Sequence, residues 1–234
     1  MKYYINRSTD ARYNMAFDEW CLMNGPDEPV FYLWRNAPSV IVGYNQDVRT
    51  EVNLPYLDAH GITLARRVTG GGAVYHDLQN MNYSFVGPVE SVYPQLFVDA
   101  LLSIGVPAEL TGRNDIFVEG RKISGYARRL WHNRELVHGT LMYNVDIETL
   151  TEVLNVPGVS KLAKKGVSSV RSRVANVKDY LPDFKDLDEV QAALHKYLAA
   201  GDPEIPVTEE QQAEIKKLSD EKFSTEAWVY DRFE

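Results

Sequence analysis

Three consecutive glycines, Gly70, Gly71 and Gly72, interrupt a β-rich stretch and constrain the fold more than any other feature of the chain. The segment reads Arg66-Arg67-Val68-Thr69-Gly70-Gly71-Gly72-Ala73-Val74-Tyr75-His76-Asp77 and follows the apolar run Ile62-Thr63-Leu64-Ala65. Two strands are expected to meet here at a turn of bare backbone. Glycine loses more conformational freedom on folding than other residues, so a triplet weakens its strands and needs an offsetting gain. A ribbon without Cβ atoms lets a ligand lie against backbone N–H groups, and concave runs of these favour phosphate or carboxylate. Arg66 and Arg67 would bring charge and forked donors to the same anion. The plainer alternative is a tight turn beside two surface arginines. Neither common phosphate loop is present, because no Lys-Ser or Lys-Thr follows the glycines and no GxGxxG opens a helix.

With 234 residues and 44% hydrophobic content, the chain can bury a good core, as a single large domain or two small ones. No apolar run approaches the roughly 18 residues that span a bilayer, and the N-terminus lacks the pattern of a signal peptide. A cytoplasmic protein without a membrane partner is expected. The single cysteine, Cys21, excludes an intrachain disulfide and a Cys-cluster zinc site. It falls in the apolar spacing of a helix and is expected to be buried and inert. A net charge of −8 argues against general nucleic-acid binding. The charge is uneven: Arg113 to Lys178 carries twelve Lys and Arg against six Asp and Glu, a local +6 within a remainder of −14. Such a field suits an anionic small molecule or an acidic protein.

Strands are expected at Tyr3 to Asn6, Val30 to Trp34, Ser39 to Gly43 and Met81 to Val86, the last alternating as a half-buried strand does. Helices are expected at Asn14 to Met23, Arg49 to His60 despite Pro55, and Tyr93 to Ile104. This alternation suggests an α/β domain. Later come a short helix after 147 and two helices at Asp186 to Ala200 and Glu209 to Phe223. The reading is one domain over 1–234 with a helical end from about 186.

The second informative stretch, Gly112 to Gly125, reads as a hairpin turning at Glu119-Gly120. On a period of 2, Lys122 and Ser124 share one face and Arg121 and Ile123 the other, so Lys122 can point inward. Asp115 has the chemistry of a turn former, and His138 that of a hydrogen-bonded strand histidine. Trp34 suits either core or ligand contact. No protein metal site is expected, and any metal would be Mg²⁺ arriving with nucleotide phosphates, which needs only one or two carboxylates.

Taken together, Trp34-Arg35-Asn36, the glycine segment, Gly112-Arg113-Asn114-Asp115, Gly120-Arg121-Lys122-Ile123-Ser124-Gly125, His138-Gly139-Thr140-Leu141 and Lys165-Gly166 through Val174 resemble the lipoate-protein ligase A family. That family lies within the larger group of biotin and lipoate ligase catalytic domains. The resemblance implies an α/β (α+β) fold, a mixed β-sheet flanked by helices. It also implies a two-step reaction, in which lipoate attacks ATP to give lipoyl-adenylate, and an acceptor lysine then takes the lipoyl group. By similarity, Arg67, Gly71, Gly72, Ala73, Val74, Tyr75, Asp115 and Lys122 would bind ATP or the adenylate, with Lys122 catalytic. Trp34, His76, Asn82 and His138 would line the lipoyl tail. The implied acceptors are lipoyl domains of 2-oxoacid dehydrogenase E2 subunits or the glycine cleavage H protein.

Full-length family members carry a C-terminal accessory domain, and the chain stops near where that domain would begin. A separate accessory ligase subunit is therefore an expected partner. Two alternatives remain at this point: an octanoyl or lipoyl transferase passing the acyl group through Cys21, and a lipoyl-domain-binding subunit without chemistry.

Overall fold

The computed structural model describes residues 1–89, 93–112, 114–155 and 173–231. Arg113, the basic run from Lys161 to Gly166 and the stretch from Ser169 to Ser172 lie outside them. Among the described residues, seven strands form the larger sheet, in the spatial order β1 (Lys2–Tyr3), β2 (Val30–Trp34), β6 (Asn80–Pro88), β10 (Arg134–Met142), β9 (Arg121–Trp131), β8 (Asp115–Val118) and β7 (Glu109–Thr111). β1 and β2 run parallel, and the remaining neighbours are antiparallel. A smaller sheet places β3 (Ser39–Val42) between β4 (Thr63–Arg66), to which it is parallel, and β5 (Val74–His76), to which it is antiparallel.

The glycine segment is therefore not the turn of a hairpin. β4 and β5 do not pair; the segment carries the chain past β3, which separates them. A hairpin would leave one edge of β3 without partners for its N–H and C=O groups, whereas insertion between β4 and β5 satisfies both edges. The Arg67 N–H to Val42 C=O bond and the Tyr44 N–H to Thr69 C=O bond continue this pairing into the loop.

Helix α1 (Ala11–Asn24) starts at Asp10, whose side chain accepts from the Arg12 and Tyr13 amides, and ends at Gly25. The helix expected from Arg49 to His60 is two: α2 (Val48–Glu51) and α3 (Leu54–His60). Pro55 has no N–H to donate and is tolerated only in a first turn, so α3 begins afresh at Asn53, whose side chain caps the Tyr56 amide. α4 (Tyr93–Ser103) and α6 (Leu187–Ala199) cover one face of the large sheet, α1 the other, and α5 (Ile147–Val153) packs against the small one.

β2 is buried throughout, and its alternation sorts side chains between two cores rather than between core and water. Phe31 and Leu33 join the core under α4 and α6, while Val30, Tyr32 and Trp34 join the core under α1. Each such side chain contributes about 1.5–3 kcal/mol by leaving water. The same sorting corrects the reading of β6 as half-buried. Met81, Tyr83 and Phe85 enter the first core, and the polar set Asn80, Asn82 and Ser84 is also buried, on the face toward α1. Asn80 and Asn82 of that buried polar stripe border a cavity.

Toward the C-terminus, α7 (Glu209–Leu218) runs into a π-helical turn (Ser219–Phe223) and α8 (Glu226–Tyr230). Trp20 Nε1 donates to Glu214, and Lys222 pairs with the buried Glu19 at 2.6 Å, fastening this end to α1. No helix among the described residues is long and apolar enough to cross a membrane.

Candidate active site

A cavity of about 270 Å³ lies where the two sheets and α1 meet. Its wall carries Arg67, Gly71, Gly72, Ala73, Val74 and Tyr75 from the glycine segment, Lys122 and Gly125 from β9, and Trp34, His76, Asn82 and His138 at its inner end. Every site residue anticipated from the sequence lines it except Asp115, which stands behind Lys122 with 2.7 Å between Oδ1 and Nζ. The sequence reading did not single out Met15, Ile41, Tyr126, Ala127, Met142, Leu150 and Leu154, which add apolar wall. These are ordinary core residue types, and nothing local separates the ones that face a cavity.

The two arginines diverge, as successive residues of an extended strand must. Arg66 does not line the cavity. Fully buried, it donates to the carbonyls of Gly43, Tyr44 and Gln46 on one side and of Trp228 and Val229 on the other. It thereby ties α8 to the end of β3, and burial lowers its pKa. Arg67 lines the cavity, but most of its donors hold the loop: Nε to Thr69 Oγ1 and Gly70 O, Nη1 to Ile41 O, and Nη2 to Gly70 O and Gly72 O at 2.8 and 2.7 Å. Burial brings its pKa down to about 10, so it is cationic at neutral pH. Because peptide units are planar and trans, carbonyls of Gly70 and Gly72 turned toward Arg67 leave the N–H groups of Gly71 and Ala73 facing away from it. Arg67 thus orients the ribbon of amides as well as charging its floor.

Close backbone approach sets two further positions. Gly71 adopts φ 94°, the left-handed region that favours glycine. Its carbonyl lies so near Gly43 that a Cβ built there would sit 2.0 Å from the oxygen. At the other end, β8 and β9 turn at Glu119-Gly120, and their register shifts beside Lys122. The Lys122 backbone bonds to Arg173 O and from Ala175 N, fixing the strand that presents its side chain. A Cβ on Gly125 would meet Lys122 Nζ at 2.9 Å, so the glycine leaves room for the ammonium group.

The inner end is a hydrogen-bonded cluster. His76 Nδ1 pairs with Asn36 Nδ2 at 3.0 Å, which makes Nδ1 the acceptor and leaves the proton on Nε2. Burial, then the charges of Arg67 and His138, push the His76 pKa down to about 3. Trp34 Nε1 donates to Ser84 Oγ at 3.0 Å. His138 Nδ1 lies 2.6 Å from Asp18 Oδ2, and its Nε2 lies 2.7 Å from Thr69 Oγ1. Asp18 and Thr69 were missed by the sequence reading. The available signal was a carboxylate inside the apolar run Met15-Ala16-Phe17-Asp18-Glu19-Trp20-Cys21-Leu22, since an Asp is almost never fully buried without partners.

Cys21 is fully buried, does not line the cavity, and has its thiol pKa raised by burial and by Asp18. Among the described residues, no three His, Cys, Asp or Glu side chains gather as a metal cage. A Mg²⁺ held chiefly by phosphates would need only one or two carboxylates from the protein, and Asp115, paired with Lys122, stands next to the cavity.

Fold and cavity together define an α+β domain in which a glycine ribbon and a lysine flank one cavity with a largely apolar wall. The description "Lipoyl protein ligase A/B catalytic domain" matches residues 10–199, and the chain belongs to that family. It is 42% identical to lipoate–protein ligase 1 of Staphylococcus aureus over 99% of this chain and 74% of that protein. Among solved structures, it superposes with TM-score 0.88 and 32% identity on a bipartite lipoate protein ligase of Thermoplasma acidophilum, covering 100% of this chain and 97% of that one. It also superposes with TM-score 0.82 and 31% identity on a lipoate-protein ligase A bound with ATP, covering all of both chains.

Proposed function

We propose that the chain activates lipoate with ATP as lipoyl-adenylate and transfers the lipoyl group to the lysine of an acceptor domain. The observation that carries this reading is the convergence on one cavity of Lys122, the glycine ribbon and a largely apolar wall that ends in Trp34, His76, Asn82 and His138. In the first step a carboxylate oxygen of lipoate bonds to the α-phosphorus of ATP and pyrophosphate leaves. In the second, the acceptor amine attacks the acyl carbon, AMP leaves, and the amine gives up its proton. Both steps place negative charge between carboxylate and phosphate, where the Lys122 ammonium group would neutralise it. The amides of Gly71 to Ala73, above the cationic Arg67, suit the phosphate, with Mg²⁺ at the phosphates near Asp115. Trp34, His76, Asn82 and His138 would enclose the tail, whose methylenes contribute about 0.8 kcal/mol each on burial.

The acceptors proposed are lipoyl domains of E2 subunits or the H protein, met in the cytoplasm. The Thermoplasma ligase is described as bipartite and together with its E2 lipoyl domain. Its likeness over the whole chain supports reading 1–234 as one catalytic domain and a second polypeptide as an accessory for adenylation. A transferase route through Cys21 has no support in the geometry, because the thiol is sealed in the core.

The direct assay is exchange of labelled pyrophosphate into ATP by the purified chain with lipoate and Mg²⁺. Exchange only after a second protein is added sustains the bipartite version. Failure to modify an acceptor even from synthetic lipoyl-adenylate removes the enzymatic reading. Lys122→Ala is expected to slow transfer ~10²–10³-fold, as removal of one positioned donor does. Its melting should change little, since a partly exposed ion pair is worth about 1 kcal/mol or less. Undiminished transfer would take Lys122 out of the chemistry.

A further inference from the structure

Behind the cavity wall, a continuous line of hydrogen bonds joins its two ends. Arg67 Nε donates to Thr69 Oγ1 at 3.1 Å, Thr69 Oγ1 lies 2.7 Å from His138 Nε2, and His138 Nδ1 lies 2.6 Å from Asp18 Oδ2. The other oxygen of Asp18 accepts from Tyr32 OH and, at 2.8 Å, from Ser84 Oγ, which itself accepts from Trp34 Nε1. One polarity satisfies every member: each donor points toward the next group, and all converge on the carboxylate. Asp, His and a hydroxyl in line have the layout of a nucleophilic triad. Here the hydroxyl is no nucleophile, because Thr69 is 1% exposed, does not line the cavity and already accepts from Arg67.

The geometry points to a positioning role: we propose that Asp18 sets both ends of the site, holding Arg67 and its glycine ribbon through His138 and Thr69, and Trp34 through Ser84. The proposal rests on the ligase reading above. Its physical basis is that a buried carboxylate with three ordered donors cannot rotate freely without leaving a donor unpaired, so the wall beside the tail and the ribbon over the phosphate keep a fixed spacing. α1 contributes the residue, and three chain segments distant in sequence meet on it.

Neither Asp18 nor Thr69 lines the cavity, so any effect of changing them on binding is transmitted. The probes are lipoyl sulfamoyl adenosine, a stable mimic of the adenylate, and its acetyl counterpart, which lacks the tail; both are measured calorimetrically on the full chain beside a melting curve. Thr69→Val keeps the shape and removes the hydroxyl, and is expected to weaken both mimics about tenfold, the worth of one hydrogen bond to a charged group. Thr69→Ser restores the hydroxyl and should bind as wild type does. Asp18→Asn places an N–H where the carboxylate accepted, and should weaken the lipoyl mimic by a larger factor than the acetyl one. Binding by Thr69→Val within twofold of wild type, or equal damage in Thr69→Ser, overturns the proposal alone. If Thr69→Val does not fold, Asp18→Asn decides: an equal factor on the two mimics rules out coupling to the tail. A wild-type chain that binds neither mimic overturns the ligase reading and this inference with it.

Discussion

Adding one methyl group at Gly43 tests whether the position of the glycine ribbon governs binding. Gly43 follows β3 and carries no chemistry, yet a Cβ there would stand 2.0 Å from Gly71 O, 3.0 Å from Gly71 C and 3.3 Å from Arg67 Nη2. Ordinary van der Waals contact lies at 3.4–4 Å, so Gly43→Ala requires the Gly71 carbonyl to move by more than about 1 Å. The oxygen belongs to backbone and cannot swing aside as a side chain would. β3 cannot yield instead, because both its edges are hydrogen-bonded and Gly43 O accepts from the buried Arg66. The ribbon is exposed at Gly71 and Gly72 and is the part that moves. Overpacking of this kind destabilises by about 1–3 kcal/mol, whereas a misplacement near 1 Å in a reacting site lowers rate ~10²-fold. Transfer from lipoyl-adenylate should therefore fall about a hundredfold in a protein that still melts cooperatively. Transfer within twofold of wild type would show that ribbon position does not govern the reaction.

Three further outcomes follow from the buried groups. Cys21→Ala should transfer as wild type does and yield no acyl thioester by mass spectrometry; a thioester on Cys21 in the wild type would restore the transferase route. Arg66→Met should leave several buried carbonyls unpaired and destabilise by about 2–4 kcal/mol, with α8 exchanging amide hydrogens early; an unchanged melting curve would refute the tie between α8 and β3. His76, with its pKa lowered from 6.5 to about 3, binds a proton more readily when unfolded. Between those values the unfolded state holds more protons, so stability falls as pH drops below 6.5, by about 1.4 kcal/mol per unit from this group. In denaturant melts at pH 6.5 and 5.0, His76→Gln should lose that part of the slope; an identical slope in the variant refutes the assignment.

Much of the cavity lining was legible because it is local. The glycine segment and the Glu119-Gly120 hairpin announce themselves in a few consecutive residues. Lys122 reaches the cavity, but not by sharing a face with Ser124: the register shift at Ile123 sends Ser124 to Tyr83 in the first core and leaves Lys122 and Gly125 on the cavity side. Most strand and helix placements followed for the same reason; the exceptions are the first strand, which is Lys2–Tyr3 rather than Tyr3 to Asn6, the π-helical close at Ser219–Phe223, and the break at Asn53, where a cap and a proline outweighed the helical spacing. What failed was assignment by sign and polarity alone. Arg66 and Arg67 are adjacent and identical, yet one fastens the C-terminal helix and the other the ribbon, because a strand sends neighbours to opposite sides.

The sequence by itself determined the backbone conformations: where no Cβ fits, where a helix must restart, and which strands carry alternating side chains. Only tertiary structure decided what each face meets. The stripe Asn80, Asn82 and Ser84 reads as a surface facing water until α1 covers it, and Asp18 reads as an ordinary helix residue until His138, Tyr32 and Ser84 close on it. Periodicity is a property of neighbouring torsions and is written in order along the chain. Burial and hydrogen-bond pairing belong to residues that are distant in sequence and adjacent in space.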